Sequence, residues 1–375
     1  MIKTQSAFGF LAWFATVVAL ASLARGDTGL VQTVQEGAQV TLSAEFDAGV
    51  GPFHFQWSKD GVTIPGENGS TLRLPSIRMS DAGTYVVYVS NSGGTANSQP
   101  ARLRVKPESP GRLTNFAIIA SEETLIMGFA LTEGSGFRET PFLLRAAGPA
   151  LEQFGISNFK RDPQLTIYRQ NQVAAENDNW SGAAIAASAA SAQAFEFAPG
   201  SLDAAILLPL QATSYTAVVN AREDNAGSAL IELFELSNEP DHQRPRLVNL
   251  SARVAVASSA DTVIAGFTIS GNSPVRILAR GIGPSLTPFG VSDALSDPKL
   301  QLFRGATLIA SNDDWREGGS LLIADAAREV GAFALPLNSL DSTLMALLPP
   351  GSYTLQLKGV ANRGGSALIE LYEMP

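Results

Sequence analysis

Short runs of alternating apolar and polar residues fill most of this chain, with turn-forming residues between them. Between Thr28 and Val105, "AQVTLSAEF" sets Val40, Leu42 and Ala44 on one face. "FHFQWSKDG" does the same with Phe53, Phe55 and Trp57 and then turns at Asp60-Gly61. "STLRLPSI" carries Leu72 and Leu74, and "DAGTYVVYVSN" carries Tyr85, Val87 and Val89. A period of two is that of a half-buried strand. The later chain has the same texture in "ETLIMGFALT", "PFLLRAAG", "QLTIYRQ", "AAILLPL", "SYTAVVNA" and "ALIELFEL", each bounded by Gly, Pro, Asn or Asp. Two stretches break the pattern. "GAAIAASAASAQAF" and "SLLIADAAREVGAF" are Ala-rich and poor in β-branched residues, which predicts a short helix at each.

Two polar, Pro-containing segments divide the chain: "KPESPGR" from Lys106 and "SNEPDHQRPR" from Ser237. Pro and charge in succession do not pair into a sheet, so both read as exposed linkers. Past the first linker the sequence repeats itself. "GPALEQFGI" from Gly148 matches "GPSLTPFGV" from Gly283, and "DPQLTIYR" from Asp162 matches "DPKLQLFR" from Asp297. "GSALIELFE" from Gly227 matches "GSALIELYE" from Gly365. This duplication sets the expected domains: 28–105, then a first copy over 112–236 and a second over 246–373.

The first segment resembles an immunoglobulin domain of the intermediate set, on the strength of the Trp57 strand and the Asp81-Ala82-Gly83-x-Tyr85 corner. The resemblance implies that the Tyr85 hydroxyl bonds back to the backbone and that Trp57 packs between two sheets. It also implies a disulfide where this chain has Ala44 and Val87, so the covalent staple is absent and a small apolar contact replaces it. The repeats resemble secreted bacterial pre-peptidase C-terminal modules in the "DPQLTIYR" run, the Asn/Asp cluster that follows it, and the strands at Ser214-Tyr215-Thr216 and Gly351-Ser352-Tyr353-Thr354. The expected fold is all-β: an immunoglobulin-like sandwich followed by two jelly-roll-like sandwiches, each with one short helix.

The N-terminus bears on location. After Lys3, the run Ala7 to Ala24 is apolar and uncharged and ends in small residues, the layout of a secretory signal peptide over 1–24. The alternative is an uncleaved anchor, which would be the route to membrane association. Among the 375 residues there is no Cys, which excludes disulfides, and the net charge of −9 disfavours nucleic-acid binding.

Candidate chemistry centres on "ENDNWSG" at Glu176 and "SNDDWREGGS" at Ser311. Asn177, Asp178 and Asn179, and again Asn312, Asp313 and Asp314, offer the side-chain oxygens that calcium takes; no other cofactor is expected. Trp180 and Trp315 could stack on a sugar ring. The simpler reading is a turn that seats each Trp ahead of the helix, with Ser181 or Ser320 as cap. Paired carboxylates for glycoside hydrolysis would be Asp178 with Asp203 or Glu232, and Asp313 with Asp341 or Glu370. The two His residues, His54 and His242, both lie outside the repeats and supply no triad. Arg145 and Arg280 stand on apolar strands at equivalent places, as do Glu232 and Glu370, which predicts one structural Arg–carboxylate pair per copy.

Together these features predict a secreted, periplasmic or cell-surface protein that binds an extracellular protein or glycan without catalysis. A polysaccharide-binding accessory protein or glycan-active enzyme, and a plain envelope spacer, are the competing readings.

Overall fold

The computed structural model describes residues 16–22, 31–45, 52–106, 111–134, 136, 138–222, 227–236, 244–257, 262–317, 319–361 and 363–374. The chain divides into two units, Met1–Glu108 and Ser109–Pro375.

In the first unit, one sheet is ordered β1 (Thr16–Ser22), β3 (Gln39–Glu45), β6 (Thr71–Leu74). The second is ordered β2 (Val31–Gln35), β9 (Ala101–Lys106), β7 (Gly83–Asn91), β4 (His54–Lys59), β5 (Val62–Thr63), with β8 (Gly94–Asn97) beside β7. The alternation read in the sequence places Val40, Leu42, Leu72, Trp57, Tyr85 and Val87 in one core, and Ala44 packs against it. Thr16–Ser22, within the expected leader, runs parallel to β3; the remainder of that leader lies outside the described residues.

The second unit holds both repeats. The first copy supplies β10 (Arg112–Ala120), β11 (Leu125–Thr132), β12 (Glu139–Ala147), β13 (Pro163–Arg169), β14 (Gln172–Asn177), α1 (Ala183–Ser191), β15 (Ala204–Gln211), β16 (Ser214–Ala221) and β17 (Ala229–Glu235). The second copy supplies β18 (Arg246–Val256), β19 (Val263–Ser270), β20 (Val275–Ile282), β21 (Pro298–Arg304), β22 (Thr307–Asn312), α2 (Ser320–Glu329), β23 (Ser342–Leu348), β24 (Gly351–Gly359) and β25 (Gly365–Glu373). Both predicted helices form where the Ala-rich stretches stand.

Each copy distributes its strands over two sets, β14-β13-β16-β11 and β10-β17-β12-β15 in the first, with the equivalent orders in the second. Although only residues 121–124 separate β10 from β11, these strands do not pair with each other. Instead β11 pairs with β18, matching Phe129 to Leu250, and β10 pairs with β19, matching Phe116 to Phe267. Two antiparallel rows therefore cross the junction, β14-β13-β16-β11-β18-β25-β20-β23 and β22-β21-β24-β19-β10-β17-β12-β15. They meet where Leu113 pairs with Leu247.

The two copies of the sandwich are joined through these rows. A copy alone would leave the edges of β10 and β11 with unpaired backbone groups, and the other copy satisfies both. One apolar core runs through the two, with Phe116, Phe129, Phe267 and Leu250 in the same cluster.

A second apolar layer lies on the outer side of each β10- or β18-containing set. Leu143, Ala147 and Phe234 pack there with Ile185 and Ala189 of α1. In the second copy, Leu278 and Tyr372 pack with Ala326 and Ala327 of α2. Strands β12 and β20 are thus covered on both faces, which explains why "PFLLRAAG", Arg145 excepted, is apolar on both sides of the strand.

Candidate binding site between helix and sheet

Along β12, Leu144 and Ala146 face the central core, so Arg145 faces the helix-covered side. Glu232 of β17 stands directly opposite Arg145, and Glu370 of β25 opposite Arg280 of β20. All four are buried. Arg280 donates from Nε to Glu370 at 2.7 Å and from Nη1 to the Phe333 carbonyl at 2.7 Å. Glu370 accepts a further bond from the Tyr372 hydroxyl at 3.0 Å. Arg145 donates to the Phe195 carbonyl at 2.7 Å and lies 3.1 Å from Glu232. Its guanidinium lies over two rings, 4.4 Å from the centre of Phe195 and 3.9 Å from that of Phe197. Burial is the main influence on both carboxyls: Glu232 is pushed up to about 7 and Glu370 is raised, each opposed by its Arg. Desolvation lowers Arg145, with Glu232 acting against it.

The Asn/Asp clusters lie at the mouth of this layer. Asn177 accepts from the Ala205 amide at 2.9 Å and donates to the Asn179 carbonyl at 3.0 Å. Asn312 repeats both bonds with Thr343 and Asp314 at 2.8 and 2.7 Å. Each Asn therefore stitches its own turn to the neighbouring strand, as short polar side chains do. Asp178 pairs with Arg222, and Asp313 with Lys299 at 3.1 Å. Among the described residues, no group of three or more His, Cys, Asp or Glu side chains is placed to hold a metal ion.

Trp180 and Trp315 each donate their backbone N–H at 2.8 Å to the carbonyl of Asp203 or Asp341. The indole N–H groups bond to Ser201 at 3.1 Å and to the Pro336 carbonyl at 3.2 Å. Trp315 is 3% exposed, so it offers no face to a sugar, which corrects the stacking expectation there; Trp180 is half-buried. The helices are capped differently than expected. Gly182 and Gly319 are the N-caps, with φ of 95° and 91° and no side-chain cap bond, because the sharp entry after the Trp turn needs a positive φ. Ser181 precedes the cap and Ser320 is already helical.

Two fully buried acids that the sequence offers for paired-carboxylate chemistry, Asp203 and Asp341, belong to this layer. Asp203 accepts from the amides of Gly148 at 2.7 Å and Ala150 at 3.1 Å, and from the Ser201 hydroxyl at 2.7 Å. Asp341 takes the same role with Gly283 at 2.7 Å and with the hydroxyls of Ser285 and Ser339. These bonds fix the "GPALEQF" and "GPSLTPF" turns to the sheet. The signal available in the sequence was the conserved spacing within the duplication: both acids follow the helix and precede an inner strand.

Between each helix and the sheet lies a cavity, about 240 Å³ in the first copy and about 180 Å³ in the second. Arg145, Trp180, Ile185, Ala186 and Phe197 line the first; Arg280, Trp315, Ile323, Ala324 and Leu335 line the second.

In the first unit, Trp57 is fully buried and donates its indole N–H to the Gly69 carbonyl at 3.0 Å. The Tyr85 hydroxyl donates to the Asp81 carbonyl at 2.8 Å. Burial raises that phenol to about 12. Val87 is fully buried and Ala44 packs at the core's margin, so the expected small apolar contact stands where a disulfide would. The family model for an immunoglobulin domain matches residues 28–91. These residues form an immunoglobulin-like domain. A decoration protein of Escherichia phage T5 is 39% identical over 80 residues, which make up 21% of this chain and 49% of that protein. The chain thus spans about half the length of this curated relative. Among solved structures, the four N-terminal Ig domains of Dscam1 isoform 6.9 match at 28% identity over 20% of this chain and 19% of that one, with a TM-score of 0.19. Sidekick-1 immunoglobulin domains 1–4 match at 12% identity over 92% of this chain and 72% of that one, with a TM-score of 0.22. His54 is exposed on β4, and His242 lies outside the described residues.

Proposed function

We propose that this chain is a non-catalytic binding protein of the cell exterior, in which the immunoglobulin-like domain attaches to a protein surface and the repeat unit serves as its rigid body. The observation that carries this reading is the immunoglobulin-like domain itself, beside an 80-residue match to a protein whose name states that it decorates. On its β4–β7 sheet Tyr88 is exposed, paired across the strands with Gln56, and is an aromatic of the kind enriched at protein interfaces. The repeat unit suits a support because both rows cross the junction, so the two copies resist bending apart. The strand orders within each copy are those of a double-sheet jelly roll, which supports reading the repeats as relatives of pre-peptidase C-terminal modules.

The test is co-sedimentation of the purified chain with envelope fractions of the producing cell, beside the unit Ser109–Pro375 alone. The full chain is expected in the pellet and the shorter unit in the supernatant, with no sugar released from a polysaccharide panel. Product release, or equal sedimentation of the shorter unit, overturns the proposal.

A further inference from the structure

Both copies keep a cavity at the same place, bounded by the helix, the Trp of the Asn/Asp turn and the buried guanidinium. Nothing in the structural roles above needs empty space there, and close packing is the norm in protein interiors. The volumes exceed the roughly 150 Å³ at which an apolar cavity already takes up benzene. The walls are mainly the Ala and Ile side chains of the helix, with an aromatic or Leu opposite.

Charge narrows the ligand class. Each guanidinium is matched by the Glu opposite it, with Asp203 also acting on Arg145 and Asp341 on Glu370. Glu196 also lines the first cavity, and Arg328 lines the second, paired with Asp325 at 2.8 Å. No unmatched positive charge therefore faces an anion, and a charged ligand would lose its hydration without a partner. Among the buried side-chain atoms without a hydrogen-bond partner, the one that recurs in both copies is Nη2, of Arg145 and of Arg280. A buried donor left unpaired is costly, and a ligand oxygen would relieve that cost.

We propose that each repeat binds one small uncharged ring compound carrying a single hydroxyl or carbonyl oxygen. The ring lies between the helix and the Trp, and the guanidinium, after a small rotation, donates to the oxygen. The site lies within the repeat unit and is independent of what the immunoglobulin-like domain contacts.

The experiment is calorimetric titration of the full chain with p-cresol, toluene and p-toluate, together with the fluorescence of Trp180 and Trp315 in a background carrying Trp13→Phe and Trp57→Phe. The expected result is two p-cresol sites per chain, an affinity about five-fold above that of toluene, and no binding of p-toluate. Ala186→Leu fills the first cavity from an exposed helix position and is expected to remove one site; Ala324→Leu is expected to remove the other. Thermal melts check that both variants fold. No saturable binding, equal affinity for cresol and toluene, toluate binding, or full stoichiometry in both filled variants each overturns the proposal.

Discussion

The two repeats bury the same Arg–Glu pair by different means. In the first copy, Arg145 is held between Phe195 and Phe197, Glu232 lies at 3.1 Å, and the neighbour on β17 is Phe234, which has no hydroxyl to offer. In the second, Leu335 replaces the second Phe, Tyr372 replaces Phe234, and its hydroxyl joins a bonded chain with Glu370 and Arg280. The helices differ in step: no residue of α1 is buried, whereas α2 buries Ile323, Ala326 and Ala327. Both copies set the guanidinium on one ring, Arg280 lying 4.3 Å from the centre of Phe333, and bond it to that residue's carbonyl; the first copy adds a second ring and the second copy a tyrosine hydroxyl.

The comparison can be broken most severely at the Arg. Arg280→Met leaves Glu370 buried without its cation and is expected to cost about 3–5 kcal/mol in a urea titration at pH 7. Arg145→Met is expected to cost less, because Glu232 takes up a proton more readily than an ordinary carboxyl. Equal losses would show that the two networks do the same work. Asp203→Ala and Asp341→Ala test a feature the copies share. Each should lose about 2–3 kcal/mol, since removing the carboxylate strands two or more buried donors. A clear difference between them in the same titration would mean that the turns are held by other contacts.

Acidity sharpens the contrast. Glu232 rises from 4.5 to about 7 on folding, so the folded state holds a proton that the unfolded chain releases across that range. Its stabilising contribution is complete below about pH 4.5 and is lost as pH rises through 7. Glu232→Gln should melt near the parent at pH 4.5 and above it at pH 8; the opposite order would place the pair's balance elsewhere. A further difference concerns Lys160, fully buried in the first copy and donating to the Glu123 carbonyl at 2.9 Å, where the second copy has buried Leu295. Lys160→Leu should change stability by no more than about 1 kcal/mol, because the loss of one bond offsets relief from burying an amine. Finally, single-Trp variants reporting from Trp180 or from Trp315 should give one common unfolding midpoint, since β10–β19 and β11–β18 tie the copies together. Separate midpoints would show that the junction is weak.

Much of this was legible in the letters because its cause is local. The period of two in β3, β4 and β7 needs only a half-buried sheet, and Tyr85 with Asp81 makes its corner within five residues. Ala-rich segments form the helices for the same kind of reason. The caps were misread because a Ser beside a helix start is a good acceptor in general, while here the turn geometry demanded Gly182 and Gly319. Sugar stacking and a seated Trp315 stand as alternatives in the sequence because a polar neighbourhood does not fix which way an indole points.

By itself, then, the sequence determined the strands, the duplication, the disulfide-free sandwich and the pairing of Arg145 with Glu232 and Arg280 with Glu370, since a buried charge requires a partner. Only the tertiary structure decided which edges meet. β10 and β11 are four residues apart yet join opposite rows through the other copy. Backbone hydrogen bonding carries no side-chain signature, so the exchange, and the cavities that the covered sheets enclose, could not be read from residue types alone.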